Sequence, residues 1–428
     1  MLRVEYQSMN KNELSALHQE LQAKYDEFQA MGLKLNMARG KPGMDQLDLS
    51  MPMLDVLSST ANLMASTGED CRNYGMADGL PEMQALFGQL LCMPAEQVIV
   101  GGNSSLNMMF DTISCAMTHG FAGCEPWSRQ EKVKFLCPAP GYDRHFGITQ
   151  YFGVEMITIS MTSTGPDMDM VEELVNNDPT VKGIWCIPKY SNPTGITYSD
   201  ETVRRFASLK PAAKDFRIFW DNAYCVHDLT DTPDNLLDLY AECLERGTQE
   251  LPIMFASTSK ITFPGAGVAA MAAGPETIQV LREHFSFQTI GPDKLNQLRH
   301  IAFLKDKYGV RGQMLRHRRI LEPKFQTVLR KLDGALTGTG TASWTKPNGG
   351  YFVSVDVMPG CAKRVVQLCK EAGVTLTGAG ATFPYGKDPQ DSNIRVAPTY
   401  PPVSELEVAM DLFCLCVRLA ACEKLLAE

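Results

Sequence analysis

The segment FASTSKITFPGAGVA carries a lysine, Lys260, just past an apolar run and before a Gly-rich turn. Desolvation at the end of a buried strand lowers an ammonium pKa from about 10.4 and leaves the amine free to attack a carbonyl. A lysine that simply faces solvent at a strand end is the other reading. Asp221 directly follows the apolar run FRIFW, and Tyr224 stands three residues on, in WDNAYCVHD. A carboxylate so placed needs a cation or several donors to stay ionised. A pyridinium nitrogen is one such cation, and Tyr224 is then able to donate its hydroxyl to a phenolate oxygen. A helix N-cap is the alternative role for Asp221.

Asn192 lies in CIPKYSNPTGITYSDE, after the run VKGIWCI. Pro193 fixes one φ angle and Gly195 permits the turn that follows. Asn192 is thereby held at the C-terminal edge of a strand, where ligands bind in open α/β sheets. GGNSSLNMMFD (101–111) is a Gly-rich turn into a helix. The amides of Gly102, Asn103 and Ser104 at that helix N-terminus suit a phosphate, unless Asn and Ser merely cap it. The loop matches neither the Walker nor the GxGxxG pattern, which argues against ATP or NAD. PGYDRHF (140–146) follows the run KVKFLC and offers Tyr142 to stack on a planar ring. Arg395, in NIRVAP, is a lone arginine in an apolar stretch. Its planar fork suits a carboxylate bidentately, or a structural ion pair.

The elements that position these residues are short β-rich runs alternating with helical stretches. The runs are QVIV (97–100), KVKFLC (132–137), VEMITIS (154–160), VKGIWCI (181–187), FRIFW (216–220) and PIMFAS (252–257). Several are near-continuously apolar, as in strands buried on both faces of a mostly parallel sheet. Leu106, Phe110, Ile113 and Met117 share one helical face between the first two. The pattern is α/β. After Pro292 a helical region is predicted to reach about Leu332. YFVSVDV (351–357), a helix near 362–372, NIRVAP and a final helix from about Val403 form an α+β unit. The first fifty residues are too few for a separate core and are expected to pack on it. This gives a large domain over 51–320 and a smaller one from 1–50 and 321–428.

With 428 residues, two domains are the prior expectation. Hydrophobic residues at 44% and charged residues at 21% fit a soluble globular chain. No apolar run approaches the roughly 20 residues that span a bilayer, and the N-terminus lacks the profile of a secretion signal. The net charge of −9, without a long basic run, leaves no electrostatic footprint for nucleic acid. The 13 cysteines show no CxxC pair, so neither a metal knuckle nor a redox motif is expected. Most read as small buried hydrophobes in a reducing cytosol.

Taken together, the motifs resemble the fold-type I, pyridoxal-phosphate-dependent aminotransferases of class I/II. In chain order they are ARGKP with Gly40, RNYG with Tyr74, GGNSS, PGY, SNPTG, DNAY, STSK, PNGGYF and NIRV. The similarity covers nearly the whole chain, and the wording LNMARGKP, SNPTGITYSDETV and RVAPTYP is similar to the bacterial type Ic aspartate aminotransferase subgroup. The resemblance implies pyridoxal 5'-phosphate on a Schiff base to Lys260, which also shuttles a proton. It implies that Asp221 keeps the pyridine nitrogen protonated, that Asn192 and Tyr224 bond the phenolic oxygen, and that Tyr142 stacks on the ring. Gly102, Asn103, Ser104 and Ser257 would hold the phosphate. Arg395 and the backbone of Gly40 would hold the substrate α-carboxylate, and Tyr74 would reach a phosphate in the neighbouring subunit of a homodimer. The partners implied are amino acids and 2-oxo acids, exchanged between L-aspartate and 2-oxoglutarate by a cytoplasmic enzyme, with no metal, nucleic acid or membrane.

One departure stands out. Many members carry an arginine about eight residues beyond the Schiff-base lysine, paired with the phosphate; here that place is Val268. Lys189 is a candidate replacement. For a distal carboxylate the candidates are Arg39, beside Gly40, and Arg144, beside Tyr142. Aromatic or kynurenine transamination and C–S lysis would use the same residues. An effector-sensing regulator of this fold would need a DNA-binding domain, and only about forty residues precede Gly40.

Overall fold

The computed structural model describes residues 5–428. The Asn10 side chain accepts from the amides of Asn12 and Glu13, and Glu13 reaches back to the Asn10 amide. This reciprocal cap starts helix α1 (Lys11–Ala30). A two-residue strand β1 (Leu35–Asn36), helix α2 (Met44–Asp48) and helix α3 (Pro81–Leu91) follow.

The next stretch alternates strands and helices: β2 (Val98–Val100), α4 (Ser105–Thr118), β3 (Lys134–Ala139), α5 (Asp143–Tyr151), β4 (Glu155–Thr162), β5 (Gly165–Pro166), α6 (Met168–Asn177), β6 (Val181–Cys186), α7 (Asp200–Ala207), β7 (Arg217–Asp221), α8 (Leu239–Arg246), β8 (Pro252–Ser257) and β9 (Ala269–Ala273). The strands form one eight-stranded sheet, β2-β9-β8-β7-β6-β3-β4-β5. Pairs from β8 to β4 are parallel, β9 runs antiparallel to both neighbours, and β5 is an antiparallel edge. The mostly parallel α/β sheet expected from the apolar runs is therefore present.

Strand periodicity divides its side chains between two cores. Leu136, Ile184, Ile218 and Met254 enter one core, while Phe135, Trp185, Phe219 and Phe255 enter the other. Every residue of β6 and β7 is buried, because both faces are covered by helices. Each large apolar side chain among them, such as Ile184, Ile218 and Phe219, contributes roughly 1.5–3 kcal/mol relative to exposure. Helix α4 is rotated from its expected face: Met109, Ile113 and Ala116 are buried, whereas Leu106, Phe110 and Met117 are partly covered.

Helices α9 (Pro275–Gln288), α10 (Lys294–Leu304) and α11 (Lys307–Leu336) complete this half. The helical region expected after Pro292 is thus broken. Lys305 takes φ 66°, and Asp306 caps a new helix through the amides of Tyr308 and Gly309. Helix α11 bridges two cores: Val310 and Met314 pack under the sheet, Phe325, Val328 and Leu332 in the C-terminal unit. That unit contains β10 (Ala342–Trp344), β11 (Val353–Val357), α12 (Ala362–Glu371), β12 (Val374–Thr375), β13 (Asn393–Val396) and α13 (Val403–Ala427). Helix α1 shares its core through Leu14, Leu21 and Tyr25, and β1 pairs in parallel with β12. All 13 cysteines are free, and ten are buried, as their reading as small hydrophobes requires.

Candidate active site

Strands β8, β7, β6 and β3 lie side by side, and the residues just past their C-terminal ends face one cavity of about 530 Å³. From them come Lys260, Asp221, Asn192 and Tyr142, with Arg395 entering from β13. Ser257, Tyr224, Gly40 and Ser104 line the same space.

Lys260 sits in a turn closed by the Ile261 and Thr262 amides, both donating to Thr258 O. Two buried histidines brace the turn: His317 Nε2 is 3.0 Å from Ile261 O, and His300 Nε2 is 2.9 Å from Thr262 Oγ1. The Lys260 Nζ lies 4.8 Å from the centre of the Tyr224 ring and 5.7 Å from that of Tyr351. Burial lowers its pKa, opposed by the charge of Asp221. The amine is chemically available.

Asp221 is buried at the end of β7. Its Oδ2 takes a hydrogen bond from His145 Nε2 at 3.1 Å, and the His145 ring stacks on Trp185 at 4.4 Å. Among the described residues its Oδ1 has no partner. A buried carboxylate oxygen left unpaired costs about 1–3 kcal/mol, so this atom is shaped to receive a donor. Asp221 caps no helix here.

Arg395 is buried, with Nη1 donating to Asp143 Oδ1 at 3.0 Å and to Asn192 Oδ1 at 3.2 Å. The Phe352 ring lies 4.9 Å from its guanidinium carbon. Gly40 is small for a reason: a Cβ there would fall 2.4 Å from that same ring. Tyr142 is the residue before α5, its phenol pushed up to about 12, chiefly by burial.

The family model described as aspartate amino-transferase matches residues 9–428. The chain belongs to the aspartate aminotransferase family. The aspartate aminotransferase of Corynebacterium glutamicum is 46% identical over 424 residues, covering 99% of this chain and 98% of that one. The crystal structure of an aspartate transaminase from the same species superposes with a TM-score of 0.95 at 46% identity, covering 99% of both chains. The α-aminoadipate aminotransferase of Thermus thermophilus shares the fold at a TM-score of 0.73 and 21% identity, over 92% of this chain and 93% of that one. The fold is that of the fold-type I, pyridoxal-phosphate-dependent aminotransferases, and the protein is an aminotransferase.

Some expected positions of this aminotransferase shift. Helix α4 starts at Ser105 with Ser104 as its cap, so the cavity wall is Ser104, Ser105 and Leu106. Gly102 and Asn103 stand outside it: Gly102 O pairs with the Ala269 amide, and the Asn103 side chain turns to Pro264 O and Gly265 O. Lys189 is not among the residues that line the cavity. Its Nζ is committed to Asp228 at 2.8 Å and to Cys225 O. Val268 is buried in the apolar core, its amide bonded to Thr258 Oγ1. Tyr74 is 81% exposed and lies outside the cavity of its own chain. Arg39 and Arg144 both line the mouth and are both exposed.

Sequence reading missed Asp143, His145, Ser105, Ser259 and Thr377. His145 carried a signal, since three residues beyond Tyr142 in PGYDRHF is one helical turn and one face. Ser259 adjoins Lys260, and its Oγ donates to Asn103 O at 3.3 Å. Thr377 had no signal, because its approach to Arg395 is a contact between distant segments.

Proposed function

We propose that this aminotransferase uses pyridoxal 5'-phosphate carried on Lys260 to move an amino group reversibly between L-aspartate and 2-oxoglutarate. The observation that supports it best is the meeting, in one cavity, of Lys260, an Asp221 oxygen that lacks a donor, and the buried fork of Arg395. When bound, the cofactor supplies an electron sink for negative charge at the substrate Cα.

The chain supplies orientation and proton control. Asp221 Oδ1 accepts from the protonated ring nitrogen, with His145 fixing the carboxylate from behind. Asn192 has Oδ1 engaged by Arg395, which leaves Nδ2 to donate to the ring's phenolic oxygen beside Tyr224. Tyr142 packs against the ring face. The hydroxyls of Ser104, Ser105, Ser257 and Ser259, with the N-terminal amides of α4, hold the phosphate; the helix dipole replaces part of the charge that Val268 cannot bring. Lys260 Nζ takes the proton from the substrate Cα, a role worth roughly 10²–10⁴-fold. Arg395 and the Gly40 backbone hold the α-carboxylate, and Arg39 or Arg144 the distal one.

The same reading makes the enzyme a cytoplasmic homodimer in which Tyr74 reaches the neighbour's phosphate site. Its exposure, and that of Phe287 and Ile290, support this. Among the described residues no helix is long and apolar enough to cross a membrane. The bridging of two cores by α11 supports a large domain over 51–320 and a small one from 1–50 and 321–428.

The test is a visible spectrum of the isolated protein before and after L-aspartate. A cofactor band that aspartate bleaches and 2-oxoglutarate restores is expected, with the borohydride-fixed cofactor mapping to Lys260. A band indifferent to aspartate would refute the substrate, and an adduct on another lysine would refute the site.

A further inference from the structure

Arg395 already holds a carboxylate. Its Nη1 donates to Asp143 Oδ1 at 3.0 Å, and among the described residues the Asp143 side chain has no other partner. Asp143 opens helix α5, where its charge also suits the helix dipole, and about a third of its side chain is exposed along the cavity. The guanidinium does not depend on it for aim. Asn192 accepts from Nη1, Thr377 Oγ1 lies 3.4 Å from Nη2, and the Phe352 ring packs against the plane. The Nε of Arg395 is buried without a partner among the described residues.

A counter-ion built only to neutralise a buried arginine would be enclosed, with both oxygens satisfied. Asp143 instead approaches from the cavity side, the direction from which a ligand comes. We propose that Asp143 is an internal carboxylate that competes with the substrate's α-carboxylate for Arg395 and so sets the affinity of the site. The paired site is close to neutral, so a small inorganic anion gains little there. An incoming carboxylate must take the Nε edge beside Asp143 or displace it from Nη1, and Asp143 returns to speed release. If Arg395 is free of Asp143 about one-tenth of the time, apparent affinity is lowered roughly tenfold. This inference rests on Arg395 being the α-carboxylate anchor.

The experiment titrates holoenzyme with succinate, an unreactive dicarboxylate, by calorimetry at fixed ionic strength. Wild type, Asp143→Asn, Asp143→Ala and Arg395→Ala are compared, with cofactor absorbance reporting an intact site in each. Both Asp143 variants are expected to bind succinate roughly tenfold more tightly, and KM for aspartate and for 2-oxoglutarate should fall together. Asn keeps the shape of the side chain and Ala removes it, so a shared gain identifies the lost charge. Unchanged or weaker binding in both variants overturns the proposal and makes Asp143 a support for the guanidinium. Arg395→Ala separates the underlying reading: loss of succinate binding upholds the anchor, and undiminished binding removes it together with the competition.

Discussion

The floor and the mouth of the cavity are built on different principles. On the floor, Lys260, Asp221 and Asn192 follow three adjoining parallel strands, each braced by a buried group: His300 and His317 behind the lysine turn, His145 behind the aspartate, Arg395 against the asparagine. At the mouth, Arg39 and Arg144 are exposed and have no ion-pair partner among the described residues. The groups proposed to react are thus held by a sheet whose central strands are buried on both faces. The groups proposed to sort substrates by their far end sit on exposed side chains free to reorient. Substitutions on the floor should therefore damage every reaction alike, and those at the mouth should discriminate.

The largest effect belongs to Lys260→Ala. It removes both the cofactor's attachment and the proton carrier, so turnover should fall by more than about 10⁴-fold while the fold persists. Turnover above a small percentage of wild type, for any amino acid, would break the contrast between floor and mouth. Asp221→Ala comes next. Loss of the ring nitrogen's partner should raise the barrier by several kcal/mol, on the order of 10³-fold in kcat, with weaker cofactor retention. Near-normal kinetics would reduce Asp221 to a carboxylate that only holds His145.

Arg395→Ala should follow, at about 3 kcal/mol in kcat/KM, because every amino-acid substrate loses the same charge-assisted bond. Alanine and aspartate should suffer equally. Damage confined to aspartate would assign Arg395 to the distal carboxylate and reverse the two sites.

What could be read in advance follows the same division. The strands VKGIWCI, FRIFW and PIMFAS were legible because burial on both faces leaves them almost continuously apolar, and the candidates Asn192, Asp221 and Lys260 lay in the short segment after each run. β9 was not legible, since its five residues AAMAA are small enough to suit a helix equally well. The break between α10 and α11 carries no Gly or Pro, and only Asp306 marks it. At the site, Lys260, Asp221, Asn192, Tyr142 and Arg395 were found from their own motifs, but Asp143, His145, Ser105 and Ser259 were passed over inside those motifs, and the Asp143–Arg395 pair joins residues 252 positions apart. Such a pairing exists only once the C-terminal unit folds against the sheet. The cavity lining from GGNSS is Ser104, Ser105 and Leu106, not Gly102 and Asn103, because the helix cap falls at Ser104, and no pattern in GGNSS distinguishes its two serines.

The floor's brace should also be sensitive to acid. His300 is buried, with Nδ1 2.7 Å from Asn296 O; that carbonyl only accepts, so Nδ1 carries the proton and Nε2 faces Thr262. Burial pushes its pKa down from 6.5 to about 4. The unfolded chain takes up a proton below about 6.5 while the folded one does not. Stability is therefore full above pH 6.5 and declines as pH falls towards 4, by about 3 kcal/mol at most. Denaturant midpoints at pH 7 and pH 5 for wild type and His300→Gln check this. The slope should flatten in the variant, and an unaltered slope would place the acid sensitivity elsewhere.

The smallest effect is the most diagnostic, because it concerns selectivity and not rate. A distal carboxylate distinguishes aspartate from alanine, and the exposed cations lining this cavity's mouth include Arg39 and Arg144. An exposed arginine is screened by solvent, so its contact with a substrate carboxylate should be worth about 1 kcal/mol, or roughly fivefold to tenfold. Replacing the correct one by alanine should lower kcat/KM for aspartate and 2-oxoglutarate by that factor and leave alanine unchanged. The loss should shrink as salt rises from about 0.05 to 0.5 M, because the contact is open to counter-ions. If the loss is independent of salt, the arginine becomes enclosed when substrate binds, and the mouth closes onto the floor. If neither Arg39→Ala nor Arg144→Ala discriminates, the distal carboxylate is held by a group outside this chain's cavity, and the neighbouring subunit, which Tyr74 is proposed to reach, is the place to look for it.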